Sequence, residues 1–192
     1  MRIGIFGGTF NPPHVGHLIV AEHVRERLDL DKVIFVPSAT SPHKQHLESL
    51  SAHHRAAMLR CAIEGNRYFE ISELEIQRGG VSFTIDTLTA LKDIFKRDEL
   101  YLLIGKDNLA EFHTWKKPER ILELARVVVM SRPGMTSSLS DIGSGAGLQE
   151  CTVPEIGISS TEVRTRIKEG QSVRYLVTEA VEAYIHTHQL YL

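Results

Sequence analysis

Short apolar runs that stop at glycine or proline alternate along this chain with stretches of helical periodicity. That alternation restricts the fold more than any other feature of the sequence. Residues 2–6 form one such run and meet Gly7-Gly8. Residues 32–36 form a second, stopped by Pro37; residues 100–104 end at Gly105, and residues 126–130 end at Ser131-Arg-Pro-Gly134. Runs this short, bounded by turn residues, predict strands buried on both faces. Between them, residues 15–28 carry Val15, Leu18, Ile19, Val24 and Leu28 at helical spacing. A helix opening near Ser51 runs through Arg55, Met58, Leu59 and Ile63, and residues 82–95 place Ile85, Leu88, Leu91 and Ile94 on one stripe. A strand over 69–76, a helix over 118–124, a strand over 151–153 and helices over 160–168 and 173–187 are also predicted. Residues 38–49 and the Ser/Gly-rich residues 135–147 read as loops. Strands alternating with helices imply crossover connections and a parallel sheet covered on both faces. The expectation is an α/β, doubly wound parallel sheet with a small C-terminal helical portion, all in one domain over 1–192. Ligands of such sheets sit beyond the carboxyl ends of the strands, near the switch point. Here those ends are Gly7-Gly8, Pro37, Gly105 and Arg132.

Charge narrows the partners. Lys and Arg number 22 against 24 Asp and Glu, a formal net charge of −2, so a nucleic-acid-binding surface is not expected. Any cationic patch must be local, built around a site. The two cysteines, Cys61 and Cys151, show no pairing pattern, which suits a reducing cytoplasm. Residues 3–6 are too few for a leader core, and no apolar run approaches the ~20 residues of a membrane span. A cytosolic protein without membrane partners is expected; a homo-oligomer is left open.

Gly7-Gly-Thr-Phe-Asn-Pro-Pro-His-Val-Gly-His17 is the segment richest in chemistry. The glycines let backbone approach a ligand. Pro12 and Pro13 delay the helix to His14 or just after. His14 and His17, three apart, then share a face of the first turn, with Gly16 keeping that turn open. A helix N-terminus there suits an anion. No GK[ST] follows, so this is not a P-loop, and residues 143–147 carry glycines with no strand before them. An isolated H-x-x-H is ordinarily two plain side chains, and a metal site would need a third ligand that no spacing supplies, so no metal is expected on imidazole.

Ile158-Ser-Ser-Thr-Glu-Val-Arg164 contains a capping box, Ser159 with Glu162. Most such boxes only start helices. Here three hydroxyls follow one another, and Arg164 and Arg166 stand in early turns where the helix dipole disfavours cations. A bound polyanion would resolve that conflict, with Arg164 as counter-charge. Two helix beginnings aimed at one triphosphate is the resulting expectation.

Together these segments resemble the (T/H)xGH signature and the ISSTxxR partner motif of the nucleotidyltransferase superfamily. Pro42-His-Lys44, His54-Arg55, Ser82-Phe-Thr-Ile-Asp-Thr-Leu88, Gly105-Lys-Asp107, Thr114-Trp115 and Ser131-Arg-Pro-Gly134 extend the likeness to the bacterial nicotinate-nucleotide adenylyltransferases, from Met1 to Tyr191. Departures are mild: Asn11 stands where aspartate is common, Pro13 where an aliphatic is common, and Phe83 where tyrosine is frequent.

The resemblance implies a Rossmann-like fold and synthesis of deamido-NAD and pyrophosphate from ATP and nicotinate mononucleotide. A phosphate monoester is largely a dianion at pH 7 and already a nucleophile, so no general base is needed. The reaction needs alignment and charge neutralisation instead. By the resemblance, His14, His17, Lys44 and Arg164 carry catalysis. Gly7, Gly8, Thr9, Phe10, Gly16, Gly105, Asp107, Ile158, Ser159, Ser160 and Thr161 contact ATP, with Asp107 a candidate for ribose. Arg132 reads either as a further phosphate ligand or as a turn residue. Thr84, Thr87, His113 and Trp115 face the nicotinate nucleotide, Trp115 stacking on the ring with Thr84 near its carboxylate. Mg²⁺ would ride mainly on the ATP phosphates. Nicotinamide mononucleotide or phosphopantetheine as acceptor, and a non-catalytic nucleotide sensor, are the competing readings.

Overall fold

Side chains leave a strand on alternate faces, and that period of two divides the core of this protein into two halves. The computed structural model describes residues 1–40, 50–131 and 147–192. Among them six strands form one sheet: β1 (Arg2–Gly8), β2 (Lys32–Pro37), β3 (Phe69–Ile71), β4 (Glu99–Gly105), β5 (Arg126–Ser131) and β6 (Leu148–Thr152). Their order is β3-β2-β1-β4-β5-β6, and each neighbouring pair is parallel. Ile5 lies beside Ile34 and beside Leu102.

On one face Ile3, Ile5, Ile34, Leu102 and Val127 pack against Ile85, Leu88 and Leu91 of α4 (Thr84–Ile94) and Ile121 of α6 (Pro118–Leu124). On the other, Val33, Phe35, Leu103 and Val128 meet Ala21 and Val24 of α1 (Val15–Arg27) and Leu59 and Ile63 of α2 (Ala52–Ile63). Each large apolar side chain so buried contributes roughly 1.5–3 kcal/mol. A third cluster joins Met58 and Ala62 of α2 to Val163 of α7 (Ser160–Lys168), Val181 and Ile185 of α8 (Glu179–Thr187), and Leu190. The α/β doubly wound expectation holds, with the C-terminal helices seated on α2. The strand order changes direction at β1, so the crevice between the carboxyl ends of β1 and β4 is the switch point.

Several boundaries differ from the sequence reading. The strand expected over 69–76 ends at Ile71, and α3 (Leu74–Arg78) follows. Five residues of alternating polarity fit a helical turn as well as a strand. Here Glu75 turns inward, where Thr87 Oγ1 donates to it at 2.6 Å. The helix expected over 173–187 begins only at Glu179, because Thr178 caps it by accepting from Val181 N at 3.3 Å. Beyond β4, where the sequence pattern assigns no element between Gly105 and Pro118, stand α5 (Lys106–Glu111) and a 3-10 turn over Phe112–Thr114. The last strand covers Leu148–Thr152 rather than 151–153. Lys44, Arg132, the glycines at 143 and 145, and most of the two expected loops lie outside the described residues.

Candidate active site

The first motif closes β1 and opens α1. His14 is the residue before the helix, and its backbone N–H donates to His17 Nδ1 at 3.1 Å. That bond leaves Nδ1 of His17 without a proton and puts the ring hydrogen on Nε2. The two imidazoles stack with centroids 3.6 Å apart. Burial lowers the His14 pKa to about 4. Burial first, then repulsion from His14, lowers that of His17 to about 3, against a small opposing effect of its backbone bond. Both rings are therefore neutral at pH 7.

Two details of local geometry maintain this arrangement. A Cβ on Gly16 would stand 3.0 Å from His14 Nδ1 and 3.0 Å from Ile156 Cγ2, so any side chain there would displace the imidazole. Phe10, at φ 48°, folds its ring under Gly8 and braces His17 with centroids 5.0 Å apart. Phe10 as a whole is only 3% exposed, so it braces the histidine corner and offers no surface to a ligand. Of the leading donors of α1, Val15 N donates to Leu176 O at 2.9 Å and His17 N to His14 O at 3.0 Å. This helix start thus presents ring nitrogens more than free backbone N–H groups.

The second motif lies directly against the first. Ser159 Oγ accepts from Glu162 N at 3.1 Å and caps α7. Ser160 Oγ donates to Pro12 O at 2.8 Å, and Arg164 Nη1 donates to Asn11 O at 2.8 Å. Arg164 Nη2 also donates to Thr161 Oγ1 at 3.2 Å. Ile158 anchors the approach to α7 in the third apolar cluster.

Beside this corner a cavity of about 450 Å³ opens over the switch point. Gly7, Gly8 and Thr9 form one wall, Ser82, Phe83, Thr84 and Thr87 another, and Asn108, Glu111, Thr114 and Trp115 a third. Apolar side chains such as Ile5, Leu88 and Leu102 share the lining with many polar ones, a mixed surface suited to a polar small ligand. Among the described residues, the buried side-chain polar atoms without a hydrogen-bond partner are His14 Nδ1, Ser38 Oγ and Trp115 Nε1. Ser38 and Trp115 line the cavity, and His14 stands at the adjoining corner. An orphaned buried group costs about 1–3 kcal/mol unless a water or ligand meets it, and these three atoms lie in or beside one cavity.

The structure brings His14, Gly16, His17, Ser159, Ser160, Thr161 and Arg164 to the corner, and Gly7, Gly8, Thr9, Thr84, Thr87 and Trp115 to the cavity. The Thr87 hydroxyl is already engaged with Glu75. Gly105 and Asp107 sit at the start of α5; neither lines the cavity, whereas their neighbours Ile104 and Asn108 do. His113 is exposed on the 3-10 turn and lies off the cavity wall. Lys116 Nζ stands 4.6 Å from the centre of the Phe83 ring while pairing with Asp86 at 3.0 Å, covering the position where tyrosine is frequent.

Two site residues were not given roles by the sequence. Arg55, 2% exposed, donates to Thr9 O at 2.7 Å, Ser38 O at 2.6 Å, Ala39 O at 3.1 Å and Leu50 O at 3.1 Å. It thereby fixes the glycine turn to the exit of β2. Glu75, 7% exposed, lines the cavity, and burial raises its carboxyl above the usual range.

This fold and corner define a nucleotidyltransferase: residues 5–166 match the family model described as cytidylyltransferase-like. A Salinibacter ruber protein named "Probable nicotinate-nucleotide adenylyltransferase" is 44% identical over 191 residues, covering 100% of this chain and 98% of its own. A Thermus thermophilus protein of the same name is also 44% identical, with 100% of both chains covered. The chain belongs to the nicotinate-nucleotide adenylyltransferase family. The Plasmodium falciparum nicotinic acid mononucleotide adenylyltransferase complexed with NaAD shares the fold at a TM-score of 0.82, with 18% identity and 99% and 97% of the two chains covered.

Proposed function

We propose that this protein transfers the adenylyl group of ATP to nicotinate mononucleotide, forming deamido-NAD and pyrophosphate, as one nucleotidyltransferase domain acting in the cytoplasm. The observation that carries the reading is the meeting of the two motifs at Pro12–Ser160 and Asn11–Arg164, beside a cavity that shares the Gly7–Thr9 turn. The full-length relatives named for this activity point to the same acceptor.

A phosphate oxygen of the mononucleotide attacks the α-phosphorus as the bond to the β-phosphate oxygen breaks, and the electron pair leaves on pyrophosphate. His17, with its hydrogen on Nε2, donates to phosphate oxygen, and His14 stands stacked beside it. Neutral rings buried in a dry corner interact strongly with charge that develops only in the transition state. Ser159, Ser160, Thr161 and Arg164 would hold the outer phosphates, with Lys44 and Arg132 as further candidates. Trp115 and Thr84 would bound the nicotinate ring in the cavity. The donor set at the corner, two imidazoles, hydroxyls and one arginine, suits phosphate oxygens better than a hard divalent cation. Mg²⁺ accordingly enters with the nucleotide as part of the substrate.

The test follows pyrophosphate release with ATP and Mg²⁺, offering nicotinate mononucleotide, nicotinamide mononucleotide and phosphopantetheine in turn. Release with the first, accompanied by deamido-NAD, is expected. Release only with another acceptor, or with none, overturns the reading.

A further inference from the structure

Asn11 lies three residues before His14 and is gripped from two directions. Its backbone oxygen accepts from Arg164 Nη1 at 2.8 Å, and its side-chain Oδ1 accepts from the Tyr191 hydroxyl at 2.6 Å. Tyr191 reaches this point from 180 residues further along the chain. Packing and backbone bonds fix its position. Leu190, 7% exposed, is locked in the third apolar cluster, and its N–H donates to Ile185 O at 3.0 Å behind α8. Gln189 and Tyr191 both adopt left-handed backbone, at φ 51° and 65°, which turns the phenol back towards the glycine turn. Side chains rarely tolerate that conformation unless their surroundings fix it. Burial pushes the Tyr191 hydroxyl up in pKa, so it stays a donor across the neutral range although Arg164 and Arg55 stand near it.

We propose that Tyr191 is a positioning residue for adenylyl transfer: through Asn11 Oδ1 it sets the path of residues 11–14 and so the aim of the His14–His17 pair. The inference rests on the adenylyltransferase reading. Arg164 already holds the Asn11 backbone, but in that reading the same guanidinium also faces phosphate. A second anchor that does not meet the substrate keeps the turn in place when Arg164 takes on ligand. Orientation at this level is worth a good deal, since a misplacement of about 1 Å costs on the order of 10²-fold in rate.

The experiment compares wild type, Tyr191→Phe, Asn11→Ala and the double variant by steady-state pyrophosphate release and by thermal melting. Tyr191→Phe keeps the packed ring and removes only the hydroxyl. It is expected to lower kcat roughly 10-fold, as a partial loss of alignment. The KM for nicotinate mononucleotide and the melting temperature should stay close to wild type, and the double variant should turn over no more slowly than Asn11→Ala alone. Unchanged kcat in Tyr191→Phe, a loss seen only in melting temperature, or single losses that multiply in the double variant would each overturn the inference. A wild type that forms no deamido-NAD in the same assay defeats the functional reading itself, which separates the two failures.

Discussion

Ser160 Oγ donates to the carbonyl of Pro12 across 148 residues of chain, and at 2.8 Å the bond joins the two motifs that carry the chemistry. Neither motif alone says more than how a helix starts. In contact, they bring two stacked, neutral imidazoles and an arginine bonded to the Asn11 carbonyl together at the end of β1.

If His17 donates to the reacting phosphate, its removal should act on rate. His17→Ala is expected to reduce turnover by roughly 10²–10³, the scale of losing one transition-state donor. Melting temperature should fall by only a few degrees, since the His14 N–H loses its Nδ1 acceptor at the helix start, a cap worth roughly 0.5–2 kcal/mol. Stopped or steady-state pyrophosphate assays check this, and near-normal turnover would take His17 out of the site.

The low histidine pKa values make stability depend on pH. Unfolded histidines titrate near 6.5, whereas folded His14 and His17 titrate at about 4 and about 3. Above pH 6.5 neither state binds these protons, and the full stability is present. As pH falls from about 6.5 towards 4, the unfolded chain takes up protons that the folded protein refuses. Stability is then lost by as much as about 1.4 kcal/mol per pH unit for each proton. Urea midpoints should fall as pH is lowered from 7.5 to 4.5, and the double variant His14→Asn, His17→Asn should flatten the slope.

Trp115 divides the substrates. Trp115→Ala should raise the KM for nicotinate mononucleotide while sparing that for ATP, because the indole lines the cavity and not the histidine corner. Equal effects on both would assign it to the scaffold, where it also packs against Phe112 with ring centroids 5.4 Å apart.

Arg55 tests the frame behind the site. Arg55→Met strands the carbonyls of Thr9, Ser38, Ala39 and Leu50 in a buried region and should cost about 3 kcal/mol or more by chemical denaturation. Lysine should not restore it, since an ammonium cannot reproduce the planar fork.

Much of this architecture was legible in the residues. The alternation of short strands carrying Ile3, Ile5, Ile34, Leu102 and Val127 with helical stretches implied the doubly wound sheet. The helical stripes expected from the sequence are too wide, however: Ile19 of α1 and Ile94 of α4 are 42% and 60% exposed, while the small Ala21 faces the core. The histidine motif could be read because its residues are contiguous and its prolines fix where α1 starts. What escaped has a common cause. Arg55 is bonded to four backbone carbonyls, and a carbonyl has no sequence signature. Glu75 looks like a surface residue of an alternating strand until Thr87, twelve residues on, draws it inward. The pairing of Tyr191 with Asn11 depends on how the C-terminal helices seat on α2, which no local pattern encodes. His113 and Asp107 illustrate the reverse: a motif supplied the neighbourhood, and the turn geometry of α5 and Phe112–Thr114 decided which side chains line the cavity.

The central claim is direct transfer between two substrates held side by side, and the stereochemistry at the α-phosphorus tests it most directly. The protein should be given ATP bearing a single sulfur of known configuration on the α-phosphate, together with nicotinate mononucleotide. One in-line displacement predicts inversion at phosphorus in the dinucleotide product; retention would reveal a covalent enzyme intermediate and contradict the account.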